Sequence, residues 1–221
     1  MRAIINVINK NQPSSINNIT NCIAKTMSFN IIDIMFDQLV DIIEIIDEND
    51  AALIVCEIDK REDTQKYLNL LRDIRVPYIF TKPSQTFELK HIALPITFLI
   101  EEKEKAPFAS SFARSFNADI TIYQPKDYGT KAQQNIDAIS TLFNSLNVDY
   151  KISKGSKGSD KIEFEALKLS QTDHQLIIIS ASREYGLDDI ILGPKERKII
   201  NQATIPVMVI NPRGDLYALC D

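Results

Sequence analysis

Two apolar runs with no polar face, Leu176–Ile179 and Ile205–Ile210, constrain this chain more than any other feature. They bracket the segment HQLIIISASREYGLDDIILGPKERKIINQATIPVMVINP. Four to six consecutive aliphatic residues leave no side for water, so each run needs cover on both faces. That is the environment of a parallel strand between helical layers. The segment reads as a strand, a loop from Ser180 to Gly186, a helix starting near Gly193, and a second strand. Its loop sits at the carboxyl end of the first strand, where open α/β sheets bind ligands.

The rest of the chain repeats this alternation. Residues 3–8 form a short apolar strand, and after the turn and cap residues Pro13, Ser14 and Ser15, Ile16, Ile19, Cys22 and Ile23 share a helix face. Residues 30–36 suit a strand, with a helix as the alternative. Leu39, Ile42, Ile43 and Ile46 recur at helical spacing. Residues 53–58 give a buried strand, Tyr67, Leu68, Leu71 and Ile74 a helix, and VPYIFTKP at 76–83 closes the half. IPVMVINP at 205–212 repeats that phrase 129 residues later, and LIII at 176–179 follows LIVC at 53–56 by 123. Two matched elements in the same order indicate a tandem repeat.

The second copy is longer. Residues 91–96 open it as a strand, and Phe108, Phe112 and Phe116 form a core-facing aromatic stripe on a helix. Strands follow at 118–123 and, with an alternating edge-strand pattern, at 148–152. Between them Ile136, Ile139, Leu142, Phe143 and Leu146 define an amphipathic helix. The loop Ser153 to Ser159 precedes a helix around Phe164, Leu167 and Leu169. The expected architecture is α/β, with two tandem doubly wound parallel-sheet, Rossmann-like domains. Residues 1–83 form a shortened copy, 90–213 a complete one, and 214–221 a tail.

With 221 residues the chain has room for one large or two small domains. The net charge of −5 carries no basic block, which argues against nucleic-acid binding. There is no long apolar run and no leader pattern, so no membrane association is expected and the expected location is the cytoplasm. Cys22, Cys56 and Cys220 make no CxxC pair, and His91 and His174 have no ligand-spaced neighbour, so no metal site is indicated. Cys56 reads as a core residue. The acids Asp41, Glu44, Asp47 and Glu48 read as a solvated helix face. Without a Gly-x-Ser-x-Gly, a His-Glu-x-x-His or a carboxylate pair on a recognisable scaffold, no catalytic residues are expected and the chain reads as a non-enzyme.

The stretch Gly186-Leu187-Asp188-Asp189-Ile190-Ile191-Leu192-Gly193, followed by a helix and Ile205–Ile210, resembles the C-terminal end of a universal stress protein (UspA-like) domain. The resemblance implies tandem adenine nucleotide alpha hydrolase-like domains and a stress-response or regulatory protein working through an unidentified protein partner. It also implies pairing of domains through their last strands, here 76–81 beside 205–210 within one chain, and a family habit of homodimers.

Nucleotide-binding members of that family place Gly-x2-Gly-x9-Gly-(Ser/Thr) at this point, and here those positions are Ser180, Arg183, Gly193 and Pro194. Pro194 has no N–H or hydroxyl to offer, and Arg183 stands where glycine would admit the ligand. The family's aspartate after the first strand is replaced by Thr97 in Pro95-Ile96-Thr97. Because all six glycines lie at or beyond Gly129, the first domain cannot build a phosphate loop of this kind. No cofactor is therefore expected, and ATP in the family's usual pose is disfavoured. The alternative is an anion or nucleotide cleft in the second domain, formed by Thr97, Ser180, Ser182, Arg183, Gly193 and Lys195 and holding phosphate by charge. Against it, Arg183 and Lys195 would pair with Asp188, Asp189 or Glu196 and fill the cleft. KGSKGS at 154–159 lacks a P-loop ending and reads as a flexible turn beside the cleft, where it could act as a gate.

Overall fold

The computed structural model describes residues 2–8, 18–83, 85, 87–126, 130–182 and 194–213. The chain divides into two compact units, one of residues 1–87 with 184–211 and the other of 88–183 with 212–221. The units thus cut across the two sequence copies: the last apolar strand groups with the first half of the chain.

In the first unit, strands β1 (Ala3–Ile8), β2 (Asn30–Met35), β3 (Ala51–Glu57), β4 (Tyr78–Thr81) and β9 (Val207–Ile210) lie in the order β2-β1-β3-β4-β9. The first four are parallel and β9 runs antiparallel to β4, with Tyr78 opposite Val209, Ile79 opposite Met208 and Phe80 opposite Val207. The helices are α1 (Asn18–Met27), α2 (Ile42–Glu48), α3 (Thr64–Leu71) and α7 (Lys195–Gln202). Ile4, Ile5, Leu53, Ile54, Val55 and Met208 are all buried at 1% exposure or less, as the unbroken apolar runs require. Asn6, the one polar residue of β1, is buried with its donor on Asp33 Oδ1 at 2.8 Å and its oxygen accepting from Thr20 Oγ1 at 3.0 Å.

One helical face departs from its sequence pattern. Residues 36–41 form a 3-10 helix, and α2 begins only at Ile42. Three residues per turn in the first part shift the phase of the second. Leu39 and Ile42 are buried as expected, Ile46 is half-buried, and Ile43 is 58% exposed.

The second unit contains β5 (His91–Pro95), α4 (Lys105–Phe116), β6 (Asp119–Gln124), α5 (Thr130–Ser145), β7 (Tyr150–Lys154), α6 (Ile162–Ser170) and β8 (Leu176–Ser180). Its sheet order is β8-β5-β6-β7, all parallel. Asn117 ends α4 in the left-handed region at φ 52°, a conformation asparagine tolerates. Phe112 is buried, whereas Phe108 and Phe116 are half-buried. Leu169 on α6 is 51% exposed, while Leu167 is buried two positions earlier, on a different face of the helix.

Candidate functional site

In the second unit the chain moves outward from β5 through β6 to β7 and then returns to the other side of β5 to form β8. That reversal places a switch point between the carboxyl ends of β5 and β8, the usual ligand position in an open α/β sheet. Ile92 pairs with Leu176 and Ala93 with Ile177, so Thr97 and Ser180 close adjacent parallel strands on one edge. Both are buried, at 4% and 3% exposure. Ser182 lies two residues beyond Ser180, half-buried.

Lys195 opens α7, in the first unit. Arg183 and Gly193 lie outside the described residues, as do Asp188, Asp189 and the tail from 214. The structure therefore brings Thr97 and Ser180 to one edge of the second unit. Pro194 is the N-cap of α7, with φ −63° and ψ 155°.

Side chains that the sequence reading passed over dominate this edge. After β5, a 3-10 helix (Ile100–Glu104) carries Glu101 and Glu102, and α4 begins at Lys105. All three side chains are buried. Lys105 Nζ donates to Glu102 Oε2 at 2.7 Å and to the Pro95 carbonyl at 2.5 Å. The same carboxylate oxygen accepts the Thr97 backbone N–H at 2.8 Å. Asn135 on α5 donates to the carbonyls of Thr97 and Leu99 at 3.1 and 2.7 Å, pinning the loop from the other side. A carboxylate thus occupies the position where the backbone N–H after β5 and a buried ammonium would otherwise face an anion. In sequence, Glu102 and Lys105 look like an ordinary i,i+3 surface pair. Only their position directly after a buried strand signals their burial.

A second carboxylate fills the glycine-rich loop after β7. Glu165 accepts from Ser156 Oγ at 2.6 Å, from the Ser156 N–H at 2.9 Å and from the Lys157 N–H at 3.0 Å. Burial alone would raise its pKa. The Ser156 and Lys157 hydrogen bonds and the Lys157 charge outweigh that and hold the carboxyl below its usual range. The Gly155 N–H donates to Gln124 O and the Lys126 N–H to Lys157 O, each at 2.7 Å. A Cβ on Gly155 would stand 2.6 Å from Ile162 Cδ1 and 2.7 Å from Glu165 Oε2. The loop expected to be a flexible turn is tied down on two sides, because its free N–H groups have found an internal acceptor.

At the opposite edge of the sheet, His91 Nδ1 lies 2.8 Å from Asp119 Oδ2, and buried His174 places Nε2 3.1 Å from Thr121 Oγ1. The two imidazole centroids are 6.1 Å apart. Among the described residues no group of three or more His, Cys, Asp and Glu is arranged to hold a metal ion, and no helix is long and apolar enough to cross a membrane.

A parallel sheet that reverses direction under flanking helices defines an α/β, Rossmann-like protein. No protein-family model and no curated protein matches the sequence. Solved structures do match. A universal stress protein from Archaeoglobus fulgidus DSM 4304 is similar with a TM-score of 0.64 and 14% identity, over 96% of this chain and 87% of that one. A functionally unknown protein from Pseudomonas aeruginosa PAO1 is similar with a TM-score of 0.63 and 13% identity, over 96% and 93% of the two chains. The fold of this chain is the universal stress protein fold. At such identities the likeness extends to the backbone and leaves the ligand open.

Proposed function

We propose that this chain is a tandem universal-stress-protein-like regulator, cytoplasmic and without catalytic activity. In this reading it works by binding protein partners, and the nucleotide position of its second domain is taken by its own side chains. The observation that carries the reading is the Glu102 carboxylate, held by Lys105 and the Thr97 N–H at the switch point. An incoming phosphate would have to displace a buried, hydrogen-bonded carboxylate and leave it unpaired, a cost of several kcal/mol. The loss of two of the three family glycines, at Ser180 and Arg183, adds to that barrier.

Calorimetric titration of nucleotide-stripped protein with Mg-ATP tests it. The expected result is no binding by the unaltered chain. Micromolar binding would overturn the proposal in favour of an anion or nucleotide sensor built on Thr97, Ser180, Ser182, Arg183, Gly193 and Lys195. The variant Arg183→Gly/Pro194→Ser, titrated alongside, reports whether those two positions alone closed the cleft.

A further inference from the structure

In the first unit the carboxyl ends of β3 and β4 meet the amino end of β9 around a cavity of about 30 Å³. Its wall includes Asp59, Arg61, Thr81, Lys82, Asn201 and Ala203. Lys82 directly follows β4 and is half-buried. Its Nζ donates to the Ala203 carbonyl just past α7. Among the described residues no carboxylate forms an ion pair with it. Burial, and then the positive charge of Arg61, push its amine below the usual lysine range, so a larger share of it is uncharged near neutral pH.

We propose that Lys82 is a carbamylation site that captures carbon dioxide reversibly in this cavity. The neutral amine's lone pair attacks the carbon of CO2, a C–N bond forms, and one C–O π bond opens to give the carboxylate. The proton lost from nitrogen passes to water. The product is a lysine carbamate and one released proton, with no oxidant, reductant or activated donor needed.

Size selects the ligand class. The space corresponds to about two water molecules, which suits a linear three-atom molecule. Charge selects the product. The Arg61 charge that disfavours a protonated Lys82 attracts an anion in its place, and a planar carbamate matches the guanidinium fork. The carbamate nitrogen keeps one N–H, which continues to serve the Ala203 carbonyl. This inference concerns a different unit from the switch-point cleft and stands whether or not that cleft binds nucleotide.

The test is equilibration of the unaltered protein with ¹³C-labelled bicarbonate and CO2 at mildly alkaline pH, followed by trapping with a trialkyloxonium salt and peptide mass spectrometry. Lys25, exposed on α1 in the same unit, is the internal comparison. The expected result is several-fold more label on Lys82 than on Lys25, because burial and Arg61 lower the Lys82 amine pKa. Arg61→Ala should reduce the Lys82 label several-fold. Equal labelling of Lys82 and Lys25, no label on Lys82, or unchanged labelling in Arg61→Ala would each overturn the proposal.

Discussion

Lys105 donates from Nζ to Glu102 Oε2 at 2.7 Å, and neither side chain is exposed to solvent at all. Removing one partner of such a pair leaves the other charge buried without compensation. Lys105→Met alone should therefore cost about 3–5 kcal/mol. The double variant Glu102→Gln/Lys105→Met keeps an amide oxygen for the Thr97 N–H and buries no charge, so it should recover more than half of that loss. Urea unfolding checks both values through the midpoint and slope. A single-variant cost near 1 kcal/mol would mean that water reaches the pair.

Two buried tyrosines make a second contrast. Tyr78 donates from its hydroxyl to Asn211 Oδ1 at 2.9 Å, and Asn211 Nδ2 donates on to the carbonyls of Leu71 and Ile74, at 2.7 and 3.0 Å. Tyr67 is 1% exposed, packs edge-on against Phe36 with centroids 4.7 Å apart, and its hydroxyl has no hydrogen-bond partner among the described residues. Tyr78→Phe should destabilise by about 1–2 kcal/mol, whereas Tyr67→Phe should be neutral or stabilise by about 1 kcal/mol, because it removes an unsatisfied polar group. Thermal melting of the two variants side by side should lower the transition for Tyr78→Phe and leave it unchanged or raise it for Tyr67→Phe.

Much of this architecture was legible because a buried parallel strand has to be apolar on both faces. The runs at 3–8, 53–58 and 176–179 each became a strand within a residue or two, and the repeated VPYIFTKP and IPVMVINP phrases became the paired strands β4 and β9. Burial was less legible wherever phase or charge misled. Ile43 faces water because a 3-10 turn precedes it, which a fixed helical period cannot anticipate. Glu102 and Lys105 belong to a run of five charged residues, Glu101 to Lys105, that would be solvated on most helices, and Glu101, Glu102 and Lys105 are buried here because the strand end delivers them to the switch point. The Glu165 nest depends on backbone N–H groups, which carry no side-chain signature.

The strand pairing itself makes a sharper test. Val209 and Phe80, at 0% and 2% exposure, lie on the paired strands β9 and β4. Val209→Asp or Phe80→Asp places a carboxylate with no partner in that apolar layer, and a loss beyond about 4 kcal/mol is expected. Far-UV circular dichroism melting and size-exclusion chromatography should show a lower transition temperature and loss of monodispersity. Variants indistinguishable from the unaltered chain in both measurements would remove β4–β9 pairing as a source of stability.

His174 makes stability depend on pH. It is 8% exposed, its Nδ1 has no hydrogen-bond partner among the described residues, and it faces Thr121, the His91 ring and the Tyr123 ring. Burial first, then the charges of His91 and Lys151, lower its pKa from 6.5, and Asp119 and Asp173 oppose this only in part. The folded chain therefore binds that proton less readily than the unfolded chain does. Stability is full above the unfolded value of 6.5, falls as pH drops below it, and levels off once pH passes beneath the lowered native value. Urea midpoints for the unaltered protein should decline through that window, and His174→Gln should flatten the decline. Glu165 acts in the same direction but later. Its carboxyl is held below its ordinary 4.5, so its contribution is present above that value and is lost only as pH falls further. Glu165→Gln should leave the decline just below 6.5 unchanged. A histidine variant that keeps the full decline would place the titrating group elsewhere in the unit.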